Sequence, residues 1–317
     1  MIDRLIDAII EKQNPTAVGL DTKYDYLPED FRKALMAGAT KADMAERAAK
    51  AVFNFNREII DAVCDIVPAV KVQVAYYEMA GLPGMRCFYD TLAYARHRGL
   101  VTIADIKRND IGATAQAYAA AYLGSMPIEG KAVEAFPADF VTVNGYLGTD
   151  GIKPFADACR ENDRGAFILV KTSNPSSGEL QDLKVEDGRT IYEVMGDQVC
   201  QWGGELVGKY GYSDLGAVVG ATYPEQGEAL RKRLKSVFFL IPGYGAQGAG
   251  GKELVGCFDE RGLGGVVNAS RSILCAYKKQ DTTDFALAAK REAERMKADI
   301  AQALEHAGKS MITECAK

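Results

Sequence analysis

Eight short runs rich in Val, Ile, Leu and Phe, separated by stretches of helical pattern, constrain this chain more than any other feature. They are TAVGLD (16–21), AVKVQVAYY (69–77), VTIADIK (101–107), DFVTVN (139–144), AFILVKTS (166–173), LGAVVGAT (215–222), VFFLIPGY (237–244) and GGVVNAS (264–270). Over much of their length they lack polar–apolar alternation, which suits strands covered on both faces. The intervening segments carry helix signals. Pro224 and Glu225 open YPEQGEALRKRL, and Arg231, Lys232 and Arg233 close it. Thr149 or Asp150 is the expected cap of TDGIKPFADACREN. From Asp284 to about Ala307, the residues Phe285, Ala288, Ala289, Met296, Ile300 and Leu304 recur at helical spacing. Eight strand–helix alternations predict an α/β fold, a closed (β/α)8 TIM barrel, with residues 1–317 as one domain. Extra helices are expected at 29–65, after strand 1, and an extended loop at 174–190, after strand 5. A doubly wound open sheet is the alternative, but it leaves the eighth strand unexplained, and no GxGxxG follows strand 1.

A formal net charge of −5 and no strongly basic segment argue against a general nucleic-acid binder. The seven cysteines are scattered and never spaced as CxxC, as expected of small buried side chains in a reducing compartment. With only His97 and His306 available, a zinc site or a histidine-based triad has almost no imidazole to use. MIDRLIDAIIEKQNP reads as an amphipathic helix rather than a signal peptide, and no apolar run is long enough to span a bilayer. A cytoplasmic protein is expected.

Charge placement picks out one strand end. ADIKRNDIG (104–112) puts Asp105, Lys107, Arg108 and Asp110 at the end of an apolar run. Residues two apart in a strand share a face, so Asp105 and Lys107 should point together at the barrel mouth, where barrel enzymes build their sites. Lys71 on the neighbouring strand and Asp21 at the end of the first are expected to join them, with Asp110 in the loop beyond. Opposite charges offset one another's desolvation, so the set alternates acid and base. The bland alternative is an ion-pair network that only closes the barrel end.

IPGYGAQGAGG (241–251) follows strand 7, and Gly243, Gly245 and Gly248 let its backbone N–H groups turn towards a ligand. Ser270 and Arg271 follow strand 8 in NASRSI. Loops after strands 7 and 8 commonly hold phosphate in barrels, and arginine grips it with parallel donors. Gln247 could reach either the phosphate or a ring carbonyl. Ser173 and Asn174 suit a pyrimidine, carbonyl or amide edge, or a capped turn. A lysine among carboxylates is a proton donor rather than a Schiff-base nucleophile, and it could stabilise a carbanion left when an anionic group departs as neutral CO2.

These segments together resemble orotidine 5′-phosphate decarboxylases of the longer bacterial-type branch. The likeness runs through GLD, VKVQVAYYE, ADIKRNDIGAT, KTSNPSSG, PGYGAQG and NASRSI, over nearly the whole chain. It implies decarboxylation of orotidine 5′-phosphate to UMP without metal or organic cofactor. It further implies a homodimer in which Asp110 and Thr114 enter the partner's active site. Lys71, Asp105 and Lys107 would complete the charged array, with Lys107 delivering the proton to C6. Asp21, Lys71 and Thr114 would hold the ribose, Ser173 the pyrimidine, and Gln247 and Arg271 the phosphate. Ser270 stands where many short-branch members have glycine; its hydroxyl could donate to phosphate or cap the next helix. Other phosphate-binding barrels, which use magnesium, a Schiff-base aldolase on Lys71, Lys107 or Lys171, and a non-catalytic binding barrel are the rival expectations.

Overall fold

Each of the eight apolar runs supplies one strand of a closed parallel barrel in the computed structural model, which describes residues 1–245 and 249–311. The strands are β1 (Thr16–Gly19), β2 (Ala69–Gln73), β3 (Val101–Arg108), β4 (Phe140–Val143), β5 (Gly165–Lys171), β6 (Leu215–Val219), β7 (Phe239–Pro242) and β8 (Gly265–Ala269). Each pairs with its sequence neighbours, and β8 closes on β1 through Thr16 opposite Val267.

Alternation along the strands sorts the interior into two regions. Val70, Val72, Ala104, Ile106, Val141 and Val143 face outward and pack under the helices with Phe55, Ile59 and Phe88. Ala69, Val101, Ile103, Phe140, Phe167 and Val266 face inward, with the rings of Phe140 and Phe167 stacked at 5.0 Å. Leu5, Ile6 and Ile9 of the first helix, Ile2–Lys12, join this inner cluster and close the floor of the barrel. Two residues further along β2, β3, β4 and β8, the inward positions turn polar. Lys71 follows Ala69, Asp105 follows Ile103, Thr142 follows Phe140 and Asn268 follows Val266. The apolar layer therefore supports a polar one at the carboxyl ends.

Most expected helices form as read. Phe285–His306 buries the six apolar residues named above, and Asp284 Oδ1 accepts from the Leu287 amide at 2.9 Å as its cap. Pro224–Arg233 starts with proline in its first turn. Its Arg231 is not a solvated terminal charge, because the guanidinium is buried and donates to the carbonyls of Gly264 and Val237. Helix Thr149–Asn162 departs from expectation at its start. Gly148, at φ 73°, is the capping position, and the Thr149 hydroxyl instead accepts from Trp202 Nε1 at 3.0 Å. The run 69–77 also stops short as a strand, since Val74 turns the chain into the helical turn Ala75–Glu78. A small exposed hairpin, Met126–Ile128 with Lys131–Val133, was not foreseen.

The surplus segments pack on the barrel. Residues 29–65 contain helices Glu29–Met36 and Met44–Val63, and Phe55 of the latter stacks on Phe285 at 4.6 Å. Residues 174–190 form short turns that bring Asp182 to Lys171 at the end of β5. The Lys171 side chain is fully buried, its ammonium 2.6 Å from Asp182 Oδ1 and 4.7 Å from the Tyr223 ring centre. No helix among the described residues is long and apolar enough to cross a membrane.

Candidate active site

The polar layer lines a cavity of about 1100 Å³ at the carboxyl ends of the strands. Asp105 is its hub. Lys71 Nζ (2.7 Å) and Gln73 Nε2 (3.0 Å) donate to Oδ2, while Lys107 Nζ (2.5 Å) and the Thr142 hydroxyl (2.7 Å) donate to Oδ1. A carboxylate offers about four lone-pair sites, so this one is saturated. Lys71 also reaches Asp21 Oδ1 at 3.1 Å, and the Ser270 hydroxyl donates to Asp21 Oδ2 at 2.8 Å. Asn268 Nδ2 donates in turn to Ser270 Oγ at 3.3 Å. One connected network thus crosses from β8 through β1 and β2 to β3. Gly19 permits that crossing, because a Cβ there would lie 1.9 Å from Ser270 Oγ.

Burial alone would discharge these groups, and the partners reverse it. Desolvation works against the Lys71 charge, but Asp105 and Asp21 outweigh it and hold the ammonium well above the usual lysine value. Burial likewise favours protonating Asp105, yet Lys71 and Lys107 keep it well below the usual carboxylate range. Lys71 bridges two acids, Asp21 and Asp105. The Lys107 ammonium pairs with Asp105 alone among the described residues, and its side chain is 44% exposed.

The route by which Lys107 reaches Asp105 differs from simple alternation. β3 pairs with β4 as Ala104 opposite Val141 and then Arg108 opposite Val143, so the ladder is interrupted between them. Lys107 lies in the left-handed region at φ 48°. A bulge of this kind re-aims a side chain that a regular strand would send elsewhere.

The opposite wall carries the residues expected to meet a phosphate. Gly243 (φ 110°) and Gly245 (φ 73°) adopt backbone conformations that favour glycine, and the Gly245 amide donates to the Ala249 carbonyl at 2.8 Å. Arg271 lines the cavity from the start of a short helix, and its guanidinium has no hydrogen-bond or ion-pair partner among the described residues. Ser173 also lines the cavity, near Gly243. Asn174 does so too, but its Oδ1 accepts from the Thr172 hydroxyl at 2.7 Å and thus serves the turn.

Comparison with known proteins settles the kinship. The sequence model of the Orotidine 5′-phosphate decarboxylase / HUMPS family matches residues 42–284. The chain is similar to the orotidine 5′-phosphate decarboxylase of Clostridium perfringens (strain SM101 / Type A), 42% identical over 303 residues, covering 95% of this chain and 98% of the relative. It is 43% identical over 305 residues to that of Clostridium tetani, covering 96% and 99%. The solved OMP decarboxylase of Leishmania donovani aligns with a TM-score of 0.70 at 27% identity, over 94% of this chain and 98% of that one. The chain belongs to the orotidine 5′-phosphate decarboxylase family.

Of the residues expected to serve such a decarboxylase, Asp21, Lys71, Asp105, Lys107, Ser173, Gly243, Gly245, Ser270 and Arg271 line one cavity. Ser270 spends its hydroxyl on Asp21 and makes no capping bond. Asp110 and Thr114 are not among the residues lining it; Asp110 Oδ1 accepts from the Ile111 amide, and Thr114 is exposed. Gln247 and Gly248 lie outside the described residues. Lys171, a rival candidate, is bound to Asp182 and does not line the cavity. Gln73, Thr142 and Asn268 went unnoticed in the sequence. Each stands two positions beyond an inward apolar residue or an assigned charge, and that spacing was the available signal.

Proposed function

We propose that this chain is a carboxy-lyase that converts orotidine 5′-phosphate to UMP in pyrimidine biosynthesis, using the Asp105-centred array and no cofactor. The observation that carries the reading is a buried carboxylate held between two lysines, across one cavity from Arg271, whose guanidinium has no hydrogen-bond or ion-pair partner among the described residues. With the phosphate on Arg271 and the Gly243–Gly245 loop, and the base edge near Ser173, the substrate carboxylate faces Asp105. Repulsion between the two anions is relieved as the C6–carboxylate bond breaks and neutral CO2 leaves. The electron pair stays on C6, stabilised by the nearby ammonium groups. Lys107 then gives its proton to C6 and recovers one from solvent, so that substrate plus one proton yields UMP and CO2.

The cofactor-free part has a direct test. Among the described residues, no group of three or more His, Cys, Asp or Glu side chains is arranged to hold a metal ion. Purified protein in excess EDTA is expected to release CO2 from orotidine 5′-phosphate at an undiminished rate. Activity lost to EDTA and restored by magnesium would overturn that part of the proposal.

The proposal includes a homodimer with shared sites, in which Asp110 and Thr114 of each chain complete the other's cavity. Their position outside their own cavity, on a surface with exposed Ile111, supports it. Mixing inactive Lys107→Ala and Asp110→Ala chains should restore about a quarter of the parent activity. Half the dimers are then mixed, and each has one site drawing Lys107 and Asp110 from unaltered positions. No recovery after subunit exchange would mean that Asp110 acts within its own chain. Free cysteines among the described residues support a reducing, cytoplasmic setting.

A further inference from the structure

Thr142 makes two contacts that bear on Lys107 and Asp105 at once. Its hydroxyl accepts the Lys107 amide at 3.0 Å and donates to Asp105 Oδ1 at 2.7 Å. We propose that Thr142 is a positioning residue for the reaction, holding the proton donor and its companion carboxylate in register through one oxygen. The inference rests on the roles given above to Lys107 and Asp105.

Geometry makes the case. Where the β3–β4 ladder is interrupted, Asp105, Ile106 and Lys107 together oppose the single residue Thr142. The Lys107 amide, left without a ladder carbonyl, finds its partner in the Thr142 hydroxyl through a partly buried bond. A left-handed conformation is unfavourable for a non-glycine residue, so φ 48° at Lys107 persists only if its surroundings hold it. Thr142 supplies that hold. It is 1% exposed, which leaves little room for water to take over either bond. The polarity is also unambiguous. An amide can only donate and an ionised carboxylate can only accept, so the one hydroxyl proton must go to Asp105. Lys107 Nζ meets the same Oδ1 at 2.5 Å. The three groups are thus coupled at a single atom, and a shift of one displaces the others.

Steady-state kinetics of Thr142→Ser, Thr142→Val and Thr142→Ala test this. Valine keeps the branched shape and alanine avoids crowding the carboxylate, but neither can accept or donate. Both are expected to lower kcat about 10²-fold, the effect of roughly 1 Å of misplacement, while KM stays within about threefold. Serine, which keeps the hydroxyl, should stay within about fivefold of the parent kcat. A purely structural role would lower thermal stability without this kcat–KM split and without rescue by serine. Folded valine and alanine variants with near-parent kcat, or a serine variant as impaired as valine, would overturn the proposal. Absent turnover in the unsubstituted protein would count against the decarboxylase reading alone. A crystal structure of Thr142→Ala then still decides the positioning claim: Lys107 should leave the left-handed region and its ammonium should move off Asp105 Oδ1. An unmoved Lys107 would sink it.

Discussion

Lys107→Ala is expected to leave a folded protein that binds UMP within a few fold of the parent and turns over at least about 10⁴-fold more slowly. Two contributions are lost together: a positioned general acid, worth roughly 10²–10⁴, and an ammonium that stabilises the developing carbanion, worth a further factor on the order of 10²–10³. The fold should tolerate the change. The Lys107 side chain is partly exposed, and Asp105 keeps Lys71, Gln73 and Thr142 as donors. Because the loss occurs in the chemical step, kcat and kcat/KM should fall alike. Initial rates with orotidine 5′-phosphate, paired with calorimetric binding of UMP, separate the two quantities. A kcat within tenfold of the parent would remove Lys107 from the proton-transfer role.

Arg271→Ala should lower kcat/KM for orotidine 5′-phosphate by about 10²–10⁴. Charge-assisted hydrogen bonds are worth about 1.5–3 kcal/mol each, and a guanidinium can offer phosphate two in parallel. Part of the loss should appear in kcat, since binding energy from a remote group helps to hold the reacting end against Asp105. The informative control is the phosphate-free nucleoside orotidine, on which parent and variant should perform equally poorly. Equal damage on both substrates would show that Arg271 acts through the fold or the base and not on phosphate. The side chain makes no hydrogen bond or ion pair among the described residues, so its removal strands no partner among them.

The barrel was legible because covered parallel strands need apolar residues on both faces, and eight such runs have few other destinations. The charged strand end was legible for the complementary reason: Asp105 and Lys107 have no place in an apolar layer and must face a mouth or a partner. Strand ends were harder. Val74 prolongs an apolar run but begins a helical turn, because composition does not record where the ladder stops. Thr149 resembled a cap, yet the positive φ needed at the turn fell to Gly148, and the hydroxyl went to Trp202. Thr142 and Gln73 are unremarkable polar residues in isolation. Their importance comes from what lies across the strand, and the left-handed turn at Lys107 that makes Thr142 necessary leaves no mark in the residue type.

The ion pair between β5 and the segment 174–190 limits how far the chain could be pared down. Excising that stretch to make a minimal barrel would strip the counter-ion from a fully enclosed ammonium, and an unaccompanied charge of this kind is strongly destabilising. A shortened version would therefore have to exchange Lys171 for an apolar side chain in the same step. Residue 171 and the segment that covers it form a single unit of redesign.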